Sequence, residues 1–345
     1  MVLPDLNTVK LKVKKYSKKG LIIFGILLVI LVLMRMLTSL KNSIFPDPSS
    51  LPQNAFGKLP APFIDNSGEM NLTYSVDTIS GLLPNFQTVA KVYKIIPTKP
   101  DLLAVKKTQE KVIGAGFTKE GTAISEESYQ WVEPNPPKII TINILSYDFV
   151  FLTPYLTTSN IQTFDNSNQI QIAVDTAGSL LAGMSLFPDD LDQEKTTTVN
   201  YSIVNNALVP ATSTSNTSIV KVDFFQKDLD NLPIFYENNS NINLLVGKEQ
   251  NQLKVVEAHY SHKNISDESS TYAIKTASDA FLDLKQGKGF ISQKPQNTNN
   301  IPIKNVSLGY YMLEKRNDFL MPVIVFEGEG FTAYVSGVKD EWTNN

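Results

Sequence analysis

Tyr272–Leu284, YAIKTASDAFLDL, is followed by Asn305–Glu314, NVSLGYYMLE, by Leu320–Gly328, LMPVIVFEG, and by Ala333–Val338, AYVSGV. In the first segment Ala273, Ile274, Ala277, Ala280, Phe281 and Leu284 recur at the spacing that gathers apolar side chains on one helix face. Ser269 or Ser270 is placed to cap its start, and Gly287 or Gly289 its end. The later segments alternate instead. Val306, Leu308, Tyr310 and Met312 share one face of a strand, and Ile324 and Phe326 join them from the next. Lys315–Asp318 and Gly328–Gly330 supply the turns. A helix followed by an antiparallel meander reads as an α+β unit, not as a parallel doubly wound sheet.

Working back from there, the same order recurs twice in weaker form. Asn168–Leu186 is a helix candidate with Ile170, Val174, Ala177, Leu181 and Met184 on one stripe, stopped by Pro188 and the acidic run PDDLDQE. Strands are expected after it at Thr196–Val204, Ser218–Gln226, Pro233–Tyr236, Asn241–Val246 and Leu253–His259. Pro100 and Asp101 open an earlier helix, with Leu102, Val105, Val112 and Ile113 as its apolar stripe and Gly114 and Gly116 at its end. Strands are expected at Thr118–Ile124, Tyr129–Val132, Lys138–Leu145 and Asp148–Thr153, and, ahead of the helix, at Leu72–Asp77 and Val89–Ile96. The repeated helix-plus-antiparallel-meander units therefore divide residues 66–160 from 161–345, and residues 266–340 form the closing module.

Leu21–Leu37, LIIFGILLVILVLMRML, has only Gly25 and Arg35 outside the strongly apolar set. As a helix these 17 positions cover about 26 Å, and extension to Lys18 and Leu40 matches a hydrocarbon core of roughly 30 Å. Residues 21–40 are thus expected to form one N-terminal transmembrane helix, in contact with the lipid bilayer through Leu21 to Leu37. Residues 1–20 form a basic tail carrying Lys10, Lys12, Lys14, Lys15, Lys18 and Lys19, which places the N-terminus in the cytoplasm and the bulk outside it. The following RMLTSLKNSIF lacks the small-residue pattern of a cleaved signal. Residues 41–65 read as a linker punctuated by Pro46, Pro48, Pro52, Pro60 and Pro62, with AFGKLP and APF placed to dock on the domain.

The chain has no cysteine and two histidines, which removes disulfides, thiolate metal sites and a cysteine nucleophile. Its net charge of −3 supports no nucleic-acid partner. His259 and His262, in HYSH, fall on opposite faces if their segment is a strand. Asp189, Asp190, Asp192 and Glu194 lack the spacing of a calcium loop and read as a solvated helix end; Asp228 and Asp230 offer no more. Tyr310, Tyr311, Tyr334 and Phe331 form either an aromatic binding face or core, and strand aromatics are usually core. No nucleophile elbow, phosphate loop or zinc helix is present. No residue is therefore assigned a catalytic, cofactor-binding or metal-binding role, and no cofactor is expected.

The four C-terminal segments quoted above, with the single span, resemble the closing part of the YycH/YycI-type (PepSY-like) regulators. The resemblance covers roughly the last 75 residues. It implies an extracytoplasmic α+β domain that modulates a membrane histidine kinase. One departure is visible: Val323, Ile324 and Val325 follow Pro322 where that family tends to carry an aromatic. The expectation is a membrane-anchored, non-enzymatic binding or regulatory protein with an envelope or membrane protein partner. The alternatives are a cell-envelope hydrolase using two carboxylates and a structural part of a surface or secretion assembly.

Overall fold

The computed structural model describes residues 51–63, 72–157, 160–295, 298–314 and 318–344. The apolar stretch Leu21–Leu37 and its lysine tail lie outside them. Among the described residues no helix is long and apolar enough to cross a membrane. The chain is mixed α+β, dominated by sheets, with three α-helices among the described residues: α1 (Ala104–Ile113), α2 (Asn168–Gly183) and α3 (Ala277–Lys285).

The larger sheet runs in the order Thr122–Ala123, Ser128–Pro134, Pro137–Asn143, Phe149–Leu152, Gln252–Tyr260, Ile242–Glu249, Ile219–Gln226, Leu191–Val204 and Ala207–Pro210, with Ile161–Gln162 beside the Ile242–Glu249 strand. All its pairs are antiparallel. Strands from before and after residue 160 thus share one sheet, joined where Phe149–Leu152 pairs with Glu257–Tyr260. The alternation of these strands turns Trp131, Ile140, Ile142, Phe151, Val222 and Leu244 to one face. There α1 and α2 cover them through Ala104 and Val112 and through Ala173, Ala177 and Leu181. The helices meet at their ends: a methyl group on Gly114 would stand 1.9 Å from the Gly183 carbonyl oxygen, so only glycine permits this crossing.

The second sheet carries the C-terminal meander. Asn305–Met312, Phe319–Gly328 and Phe331–Ser336 pair in sequence, and α3 packs Ala277, Ala280, Phe281 and Leu284 on Val306, Leu308, Ile324 and Phe326. The other face is also buried, by Tyr311, Val323, Val325 and Tyr334 under Phe63, Phe235 and Phe290. Ile234–Tyr236 joins this sheet parallel to Asn305–Met312, and a separate two-stranded sheet pairs Thr73–Val76 parallel with Asn300–Ile303. Val89–Ile95 ties the meander's sheet to Ile265–Ala273.

Three expectations are corrected. The expected caps Ser269 and Ser270 lie inside the strand Ile265–Ala273, because their segment pairs with Val89–Ile95. The α3 cap is Thr276, which accepts from the Asp279 N–H while the Asp279 carboxylate accepts from the Thr276 N–H. Gly287 ends the helix with φ +78°. The acidic run after Pro188 is not a helix end: Leu191 already begins the strand Leu191–Val204, paired with Gln226. And α1 buries Ala104, Thr108 and Val112, so of the expected apolar stripe Leu102, Val105, Val112 and Ile113 only Val112 is in the core and the other three stand in solvent.

The end of the proline-rich segment docks as expected. Gln53 and Asn54 donate to the Thr271 carbonyl, Phe56 N–H to the Tyr272 hydroxyl, and Leu59 N–H to the Trp342 carbonyl. Leu59 is fully buried, and Phe63 lies 5.8 Å from the Tyr311 ring. Residues 52–345 form one unit.

Candidate functional site

The residues singled out in the sequence mostly resolve into structure. His259 and His262 do not meet one ligand: His259 Nε2 is 3.3 Å from Glu314, and His262 Nε2 is 2.8 Å from Asp190. Asp190 also accepts from Gln226, at 2.7 Å. Burial by itself would raise the Asp190 carboxyl; the His262 and Gln226 hydrogen bonds outweigh it and hold the group below its usual 3.8. Among the described residues no three His, Asp or Glu side chains are grouped to hold a metal. Tyr310, Tyr311, Tyr334 and Phe331 are all buried, in three different packing clusters, and present no binding face.

Asp230 is a junction. It sits in a left-handed turn with Asn231, φ +53° and +61°, on the way from the larger sheet to the Ile234–Tyr236 strand. Its carboxylate takes Lys91 at 2.8 Å, the Tyr93 hydroxyl at 2.6 Å and the Tyr310 hydroxyl at 3.3 Å. Burial, and then the hydrogen bond to Asp230, push the Tyr93 hydroxyl up to about 12. These bonds fasten the turn to the second sheet.

Asp101, Glu133, Asp165, Asp190, Asp230 and Asp340 are all held below the ordinary range. A general acid working near neutrality needs the opposite displacement. The carboxylates of Asp283 and Asp340 do converge, but on the buried Lys275 amine, at 2.6 and 2.5 Å, which uses both as counter-ions.

Among the described residues, a sheet face stands uncovered. In Ser128–Pro134, Pro137–Asn143 and Phe149–Leu152 the side chains alternate, so the neighbours of Trp131, Ile140 and Phe151 point away from the helices. Val132 faces Ile139, and Ile139 faces Leu152, in one row across three strands. Val150 lies beside it, opposite Thr141. Directly opposed residues share a face and touch. These four aliphatic side chains are 39–45% exposed. The patch has a polar border on the next strand: Glu257 opposite Leu152, accepting from the Tyr155 hydroxyl at 2.8 Å, and His259 opposite Val150. An aliphatic centre with a polar rim is the composition of a protein-docking surface. None of the four was singled out in the sequence. The available signal was the adjacent apolar pairs Trp131-Val132 and Ile139-Ile140 and the run Phe149–Leu152, which a strand must divide between its two faces.

No family model and no curated protein matches the chain. Solved structures similar to it include an uncharacterized protein from Eubacterium rectale, 14% identical with a TM-score of 0.40 over 79% of this chain and 88% of that one. YycH from Bacillus subtilis is 11% identical with a TM-score of 0.36 over 74% of this chain and 54% of its own length. The C-terminal domain of YpeB from Bacillus megaterium is 8% identical with a TM-score of 0.32 over 71% and 95%. This is a weak, fold-level likeness and carries no argument about function.

Proposed function

We propose that this chain is a membrane-anchored, extracytoplasmic regulatory or binding protein that acts through protein–protein contacts and not by catalysis. In this reading Leu21 to Leu37 spans the bilayer, residues 1–20 remain in the cytoplasm, and the helix-plus-meander units, 66–160 and 161–345, present the docking surface outside. The observation that supports it is the aliphatic sheet face of Val132, Ile139, Val150 and Leu152. The partner is an envelope or membrane protein with a complementary apolar surface. The docked segment 52–63 supports the same reading, since the chain that follows the expected anchor is held by backbone hydrogen bonds to the strand Ile265–Ala273 and to Trp342 and Asn344.

Two measurements test it. A photo-crosslinking residue at Ile139 should give one discrete protein adduct in intact cells, lost with Leu152→Asp. Adducts to polysaccharide alone would sink the protein-docking reading. Protease added to wall-stripped cells should digest residues 71–345 and spare the lysine tail; the reverse pattern would overturn the topology.

A further inference from the structure

A second exposed apolar surface differs from the sheet face in its charge. Leu102 is 105% exposed, Leu103 55%, Val105 39% and Ile113 57%. Val105 and Ile113 follow the buried Ala104 and Val112 by one position each, and one residue is about 100° around a helix. Val105 and Ile113 therefore lie along the flank of α1, away from the residues that hold the helix down, and Leu102 and Leu103 stand immediately ahead of its first turn. Lys99 and Lys106 are exposed beside it, and Lys107 is 2.6 Å from Asp101. Lys111 donates to the Ser185 carbonyl at 3.0 Å and points elsewhere.

This stretch is basic on an acidic domain. Eight of the 31 basic residues and two of the 34 acidic ones fall in residues 1–50, which leaves residues 51–345 with 23 against 32, a net −9. Residues 99–110, which leave out the diverted Lys111, hold three lysines against Asp101 and Glu110, a net +1. An acidic leaflet repels most of such a domain and attracts this part of it. Ile79, 108% exposed, and Leu82, 72%, are comparably apolar, but residues 77–90 contain no lysine. Exposed leucines with lysines at their margin match the chemistry of the headgroup boundary, where the apolar side chains enter and the cations stay with phosphate.

We infer that the flank of α1, formed by Leu102, Leu103, Val105 and Ile113 with Lys99 and Lys106, is a second contact of this chain with the bilayer, made on anionic lipid. The inference rests on the anchored reading above. Docking of α1 limits the orientations in which the sheet face meets a partner.

The chain has no cysteine, so one introduced thiol reports one position. The full chain carrying Leu102→Cys or Ile79→Cys is spin-labelled and placed, one chain per disc, in nanodiscs of phosphatidylglycerol or of phosphatidylcholine. In the anionic discs the label at 102 should lose accessibility to a water-soluble relaxation agent several-fold and gain it to oxygen. The label at 79 should not change, and Lys99→Glu with Lys106→Glu should restore water access at 102. Equal water access at 102 in both lipids overturns the inference while leaving the anchor intact, as does shielding at 79 instead of 102. Shielding at 102 that persists without lipid marks contact between copies and also overturns it. A chain that fails to enter either disc overturns the anchored reading and this inference with it.

Discussion

Helices α1 and α3 have nearly the same length, ten residues against nine, and opposite economies of burial. α3 begins at a reciprocal cap, Thr276 with Asp279, and buries Ala277, Ala280, Phe281 and Leu284. It is also tied at both ends by charge, since Lys275 and Lys288 reach Asp283 and Asp340. α1 begins at Leu103, which has no side chain to offer a cap, and buries only Ala104, Thr108 and Val112. Its long-range polar ties among the described residues include Gln109, which accepts from the Trp131 indole at 2.7 Å, and Lys111, which donates to the Ser185 carbonyl at 3.0 Å. Its larger aliphatic side chains are outside. A helix that leaves Val105, Ile113 and the two leucines ahead of it in water holds apolar surface that does not serve its own packing.

The contrast can be broken by substitution. Phe281→Ala should cost about 3–5 kcal/mol in chemical denaturation, because α3 cannot close the space left behind. Lys275→Ala should cost about 3 kcal/mol, because it leaves Asp283 buried with the exposed Lys288 as its remaining partner. Thr276→Ala should cost about 1 kcal/mol as a lost cap. Leu102→Ser and Val105→Ser should change stability by no more than about 0.5 kcal/mol, as surface positions do. If Leu102→Ser proved as damaging as Phe281→Ala, the α1 stripe would be core and both the contrast and the bilayer contact would fall.

A pH titration sharpens the comparison from the side of α3. The Lys275 ammonium holds the Asp340 carboxyl below 3.8 against the opposing effect of burial. A group whose pKa is lower folded than unfolded contributes in full above the unfolded value and loses that contribution as pH falls toward the folded one. The stability gap between the wild type and Asp340→Asn should therefore be constant near neutrality and shrink below about pH 4. A gap that stayed constant into acid would mean that the Lys275–Asp340 pair does not act in solution.

Much of the architecture was legible without coordinates, and the reason is periodicity. The C-terminal helix and its three strands were readable because Ala277, Ala280, Phe281 and Leu284 repeat at helical spacing while Val306, Leu308 and Ile324, Phe326 repeat at two. The docking of the proline-rich segment was readable from AFGKLP and APF, whose Phe56, Leu59 and Phe63 have no reason to sit in water. The strand Ile265–Ala273 was not readable: ISDESSTYA has a polar outer surface, and only pairing with Val89–Ile95 selects the extended form. The same holds for the start of Leu191–Val204, where acidic residues gave no strand pattern.

Local spacing and composition determined which segments become helices or strands and where an apolar span lies, since those depend on neighbours in the chain. Which faces are covered was decided only by the assembled tertiary structure. The stripe of Leu102, Val105 and Ile113 and the row of Val132, Ile139 and Leu152 carry the same aliphatic character as the core residues beside them. What separates them is whether another element arrives to exclude water, and that depends on partners far apart in sequence.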